Sequence, residues 1–196
     1  MWRSCVSEEV YRFLMERRSA RPAMLSEPGP DTDQLDAILA AAARVPDHKK
    51  LVPWRFIVFA GDARADFGAQ LAQALQKEDE DAPSHVRLET ERTRFLRAPV
   101  VVGVVSSEVP DRGVPQLEQI LSCGAACFNL CLAANALGFQ TAWITEWYSY
   151  SPAVAGVLGL KAHERMAGFI YIGSASERQA DRDRPDLSHV VSRWSA

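Results

Sequence analysis

What this chain lacks narrows its function first. It has no basic excess: 22 Lys and Arg stand against 25 Asp and Glu, for a formal net charge of -3 and a pI near 5.8. Nucleic-acid-binding domains usually carry a strong positive surplus, so that class is excluded. There is no internal repeat and no low-complexity tract, and 47% hydrophobic with 24% charged residues is ordinary for a folded soluble protein. The opening MWRSCVSEEVYRF has no apolar stretch long enough for a secretory segment, and Glu8 and Glu9 interrupt it early. Cysteine is scarce, with four residues, no Cys-x-x-Cys and no histidine at zinc-ligand spacing, so no metal site is expected. Cys123, Cys127 and Cys131 recur every four residues, on one helix face, where cysteine acts as a small buried hydrophobe. A reducing cytoplasm suits such thiols.

Charge itself is missing from Gln119 to Thr145. A membrane-spanning helix needs about 20 apolar residues, and this run is long enough. Asn129, Asn135 and Gln140 fall inside it, however, and Gly138 breaks it. The run therefore predicts a buried helix followed by a buried strand, with no membrane. A helix that is apolar all round must be enclosed on every side. In a chain of 196 residues, a second copy is the expected cover, which makes a homodimer.

What is present reads as one domain over residues 1–196. Val10, Phe13 and Leu14 form an apolar stripe on a first helix from Ser7 to Arg17. Asp31 to Asp33 offer N-caps for a helix over 34–43, and Pro46 follows its end. WRFIVFAG is a strand closed by Gly61, with a helix over 63–77 behind it. KEDEDAPSHVRLETERTR reads as a solvated connection leading to another helix, with no identifiable chemistry. APVVVGVVSS is almost continuously β-branched, the pattern of a strand buried on both faces. A long helix over 114–137, the strand FQTAWIT, a short helix over 152–158 and the strand MAGFIYIGS complete the order before a polar tail. Strands separated by helices predict an α+β, three-layer α/β/α sandwich around a mixed central sheet.

Two clusters could carry chemistry. Arg17, Arg18, Ser19 and Arg21 stand where the first helix gives way to a proline-rich loop. Arginine forks suit phosphate oxygens, and a serine hydroxyl completes such a cradle. Basic residues in a last helical turn also suit the helix dipole without any ligand. The second cluster, ARVPDHKKLVPWRF, sets Arg44, His48, Lys49 and Lys50 around two prolines. His48 read alone suits a hydrogen-bonded loop position, and Trp54, opening a strand, suits the core.

Together the clusters resemble the nitroreductase family of flavoproteins. RRSAR is similar to the family's Arg-Arg-Ser-x-Arg signature, and VPDHKKLVPWRF to its Ala-Pro-Ser-x-x-Asn-x-Gln-Pro-Trp-x-Phe segment. The Pro-Asp-His-Lys form is closer still to the family's minimal subgroup. The uncharged helix, GFQTAWIT and GFIYIGS follow in the family's order, so the resemblance covers nearly the whole chain.

The resemblance implies FMN as cofactor and NAD(P)H as electron donor. It gives Arg17, Arg18 and Ser19 to the phosphate and ribityl end, with Arg21 beside them. It implies that Arg44 and His48 reach the flavin from their loop, across the dimer interface. It lays Trp143, Ile144 and Thr145 along the isoalloxazine ring, where backbone amides meet the N5 and O4 edge. Gly173 and a tail arginine, Arg182 or Arg184, take the late phosphate contacts. The implied activity is ping-pong reduction of a small electron-poor acceptor, a nitroaromatic or quinone, with no catalytic side chain because flavin N5 carries the chemistry. A non-catalytic FMN-binding redox sensor or flavin store is the alternative on the same scaffold. Lys50 and Val52 replace the family's usual Asn and Gln, and Glu146 follows Thr145 where a small residue is common. A carboxylate there would either oppose charge on the reduced ring or face solvent.

Overall fold

A computed structural model describes residues 8–79, 81–110, 112–177 and 179–195. Contacts divide the chain into a main unit, Ser19–Ser176, and a terminal unit of residues 1–18 and 177–196. The terminal unit carries α1, Glu8–Glu16, which buries no residue, and a tail with a helical turn at Leu187–His189. Ser7, the expected start of α1, and Cys5 lie outside the described residues.

The main unit opens with α2, Thr32–Ala42, on the expected cap: Asp31 Oδ1 accepts the Gln34 N–H at 2.8 Å, and Gln34 Oε1 accepts the Asp31 N–H at 3.0 Å. Then follow β1 (Trp54–Ala60), α3 (Ala63–Glu78), α4 (His85–Thr93), β2 (Val100–Ser107) and α5 (Gln116–Ala136). β3 (Gln140–Ile144), α6 (Pro152–Val157) and β4 (Glu164–Gly173) complete the unit. The charged connection is only partly wet. Its second half is α4, which buries Leu88 and Glu91.

The four-stranded sheet has the order β1-β2-β4-β3, and every neighbouring pair is antiparallel. This corrects the expected mixed sheet, and the reason lies in the order of the strands side by side. The pair α3 and α4 between β1 and β2 makes two traverses, so β2 runs opposite to β1. The single helix α5 then returns the chain to start β3 in the direction of β2. β4 comes back between them, antiparallel to both, so the two parallel strands never touch.

Helices cover both faces, giving the expected three layers. On one face α3 and the turn Arg94–Arg97 pack Phe67 and Phe95 against Phe59, Phe169 and Tyr171. On the other, α2 and α5 cover Val100, Val102, Val104, Ile170 and Ile172. Both central strands are buried almost throughout, as the β-branched run requires. Trp54 is core, at 6% exposure.

α5 is covered on one side only. Cys123, Ala126, Cys127, Leu130, Cys131 and Ala134 are buried, while Leu117, Ile120, Leu121 and Phe128 stay exposed. By length and composition this helix could cross a membrane, but its buried face is committed to the sheet. The three described cysteines form no disulfide and are buried, and hydrogen bonding to Cys123 together with burial pushes the Cys127 thiol well above its usual range. No group of His, Cys, Asp or Glu that could hold a metal exists among the described residues.

One ion pair fastens the sheet at the start of β4. Arg55 Nε and Nη2 each lie 2.8 Å from a Glu164 carboxylate oxygen, while Ser107 Oγ and the Lys161 N–H donate to the same carboxylate at 3.0 Å. The Arg55 bonds hold the Glu164 carboxyl down to about 2, from an ordinary 4.5. A depressed folded pKa adds stability that is complete above the unfolded value and lost as pH falls through the folded one. Glu164→Gln should therefore flatten the acid limb of stability between about pH 4.5 and about pH 2. Urea melts of both proteins across that window measure it, and parallel acid limbs would refute the assignment.

Candidate functional site

The loop between α2 and β1 is strained. Lys49, Lys50 and Val52 have φ of 61°, 54° and 51°, the left-handed region, where a β-branched residue is especially rare. Such residues cost about 1–3 kcal/mol each and persist where surrounding bonds over-determine them. Asp47 supplies those bonds: Oδ1 accepts the Leu51 N–H at 3.1 Å, Oδ2 the Val52 N–H at 2.8 Å, and its carbonyl the Lys50 N–H at 3.2 Å. The sequence reading passed over Asp47; its signal was an aspartate following proline in a loop, where its side chain bonds nearby amides.

α5 anchors the same loop. His48 Nδ1 lies 2.7 Å from Glu118 Oε2, and since a carboxylate only accepts, Nδ1 carries the proton and Nε2 points elsewhere. Ser122 Oγ donates to the Pro46 carbonyl at 2.5 Å, and Asn129 Nδ2 to the Ala41 carbonyl at 2.5 Å. Lys49 Nζ donates to the Arg112 carbonyl at 3.0 Å. The Arg44 side chain is exposed.

β3 presents Trp143 through an irregularity in its neighbour. Val104 and Val105 of β2 face Gly168 and Met166, leaving Ala167 as an extra residue in β4. The Ala167 carbonyl accepts the Trp143 indole N–H at 3.1 Å, and Gly168, at φ 141°, leaves room for the ring. A Cβ on Gly168 would sit 2.4 Å from Trp143 Nε1. Trp143 is 41% exposed and walls a 630 Å³ apolar cavity with Leu121, Cys123, Gly124 and Met166. A second cavity of 300 Å³ is lined by His48 and Glu118. The two share Leu121 and Ala125, so the Trp143 and His48 sites meet on one stretch of α5.

Ile144 is half-buried and Thr145 exposed just beyond the strand. Glu146 neither faces solvent alone nor stands unpaired, because Arg94 and Arg97 bind its carboxylate. Ser19 and Arg21 are exposed, flanking Ala20, whose N–H donates to the Thr141 carbonyl at 2.9 Å along the edge of β3. Gly173 ends β4 so close to its surroundings that a Cβ would lie 2.7 Å from Pro99 Cδ.

In the terminal unit, Arg17 and Arg18 are half-buried. Arg18 Nε donates to the Ala180 carbonyl at 3.1 Å and lies 3.6 Å from Asp181 Oδ1. Arg184 Nη2 and the Arg182 N–H reach the same oxygen at 2.8 and 2.9 Å. Of the two tail arginines, Arg184 contributes a guanidinium and Arg182 an amide. One nitrogen from each of two arginines and an amide gather around one carboxylate oxygen, donor chemistry that suits the phosphate of FMN.

The Trp143 seat predicts opposite outcomes for two glycines. Gly168→Ala should destabilise by about 1–3 kcal/mol through overpacking and left-handed strain. Gly156→Ala, on α6 with open space around it, should stabilise by up to about 1 kcal/mol. Denaturant melts of both variants decide; a neutral Gly168→Ala would show that Trp143 does not pack there.

The Nitroreductase family profile matches residues 14–174. YdjA of Escherichia coli K12, named as an NAD(P)H nitroreductase, is 34% identical over 166 residues, covering 85% of this chain and 88% of YdjA. Among solved structures, a nitroreductase-like family protein from Bacillus cereus has a TM-score of 0.83 at 22% identity, over 95% of this chain and 96% of that one. A Desulfovibrio desulfuricans nitroreductase in complex with FMN has a TM-score of 0.71 at 21% identity, with 95% and 96% covered. The family profile and the identity to YdjA both extend over most of the chain, which belongs to the nitroreductase family.

Proposed function

We propose that this protein is an FMN-dependent oxidoreductase that draws electrons from NAD(P)H and reduces small electron-poor acceptors, nitroaromatics and quinones, in a ping-pong cycle. The observation that carries this reading is family membership over residues 14–174, joined to a set of oxyanion donors that brings Arg18 of the signature together with Arg184 of the tail. A relative of the same fold is known in complex with FMN.

Arg17, Arg18 and Arg184 would hold the phosphate; Ser19 and Arg21 are carried over as ribityl contacts and Gly173 as a late phosphate contact by their match to the family's pattern. Trp143, Ile144 and Thr145 would lie along the ring, and Arg44 and His48 would reach it from the strained loop. FMN, when bound, supplies hydride acceptance and donation. The residues orient the reactants, exclude water and stabilise charge. No side chain is needed as acid or base.

The working form is a cytoplasmic homodimer of single-domain chains, in which the uncovered face of α5 meets its counterpart on a second copy. Leu117, Ile120, Leu121 and Phe128 form that face around Gly124, and from 119 to 145 it carries no charge to keep a partner away.

Three outcomes test this reading. Steady-state turnover of NADH or NADPH with a nitroaromatic or quinone should give parallel double-reciprocal lines; bound flavin without turnover would favour the sensor or store. Alanine at Arg18 or Arg184 should weaken FMN binding about ten-fold or more while leaving riboflavin, which lacks the phosphate, far less affected. An unchanged FMN-to-riboflavin affinity ratio would remove the phosphate assignment. Leu121→Arg should give a 21.7 kDa monomer by light scattering, and an intact dimer would place the interface elsewhere.

A further inference from the structure

A charged cluster that the site above does not use lies beneath the sheet. Arg94, in the turn after α4, bonds both Glu91 and Glu146. Arg97 Nη2 reaches Glu146 Oε1 at 3.2 Å and Tyr171 Oη at 3.3 Å, and Tyr171 Oη lies 3.1 Å from Tyr148 Oη. Arg97 Cζ stands 5.1 Å over the Tyr171 ring and Arg94 Cζ 5.7 Å over the Tyr148 ring. Glu91, Tyr148 and Tyr171 are at most 2% exposed. The two guanidinium groups balance the two carboxylates, so the cluster is neutral as a whole.

Glu146 directly follows Thr145 and heads the turn Trp147–Ser149, with extended backbone at φ -104° and ψ -176°. Fixing its carboxylate therefore fixes the exit of β3. An isolated carboxylate would oppose negative charge on a nearby reduced ring. One held by two guanidinium groups exerts little field beyond them. Buried ion clusters also contribute little net stability, because desolvation offsets their attraction. What forked arginines do supply is fixed geometry.

We propose that Glu146, clamped by Arg94 and Arg97, is a positioning residue that holds the Ile144–Thr145 backbone in place along the flavin ring. This rests on the reading of β3 as the ring-facing strand.

Two substitutions separate reach from charge. Glu146→Gln keeps the length and removes the charge; Glu146→Asp keeps the charge and shortens the reach. Both are titrated with riboflavin and FMN by quenching of flavin fluorescence, alongside the flavin reduction potential and the melting temperature. Positioning predicts that both variants bind riboflavin about ten-fold more weakly, as loss of a charge-assisted hydrogen bond would give, with the visible flavin band altered in each. If Glu146→Asp binds like wild type while Glu146→Gln shifts only the potential, Glu146 acts through its charge and the proposal is wrong. It is equally wrong if both variants bind flavin normally and only the melting temperature falls. A wild-type chain that binds no flavin is a separate result, which overturns the cofactor reading and this proposal with it.

Discussion

A sheet covered on both faces admits charge only in balanced groups, because a lone ion in a low-dielectric interior costs several kcal/mol. That constraint organises the main unit. Glu164 enters the start of β4 only with Arg55, Ser107 and the Lys161 amide around it. Glu91 and Glu146 enter only with Arg94 and Arg97. Where no partner is offered, charge is absent, and this accounts for the uncharged residues of α5 that face the sheet. The cluster beneath the sheet and the blank helix above it are two solutions to the same electrostatic problem.

The candidate site draws on both. α5 has one face on the sheet; its polar residues Glu118 and Ser122 hold the loop after α2, and Asn129 bonds the last turn of α2. Asp47 binds that loop internally, in a conformation that Lys49, Lys50 and Val52 would not adopt alone. An aspartate that bonds two backbone amides restricts the loop where the family's Asn and Gln are replaced by Lys50 and Val52. Across the sheet, the extra residue Ala167 lets β4 receive the Trp143 indole and turn its ring toward the cavity on α5. A rigid loop and a re-aimed tryptophan thus face the same stretch of one helix.

Much of this was legible from residue order. Periodicity placed the strands and the major helices within a few residues, because β-branched runs and proline or glycine stops are local signals. The capping box at Asp31 and the buried cysteines were equally local. What could not be read was whatever depends on pairing at a distance. KEDEDAPSHVRLETERTR looked like a wet connection because its charges are dense, and nothing nearby in sequence shows that Arg94, paired with Glu91, meets Glu146 52 positions away. Strand direction failed for the same reason, since the order in which the strands sit side by side, and not any one strand, sets whether the sheet is mixed. The arginine signature was found by its resemblance to a family, while the convergence of Arg18 and Arg184 on Asp181 is a tertiary fact.

The claim on which the account most depends is that this chain carries a working flavin. The direct measurement is the visible spectrum of the purified protein, reconstituted with FMN and freed of excess, before and after anaerobic addition of NADH or NADPH. Bound flavin absorbs near about 450 nm, and its band should bleach on adding the nicotinamide and return when a quinone or nitroaromatic is supplied. A protein that retains no band after removal of free FMN would contradict the account at its root, and one whose band does not bleach would contradict its electron donor.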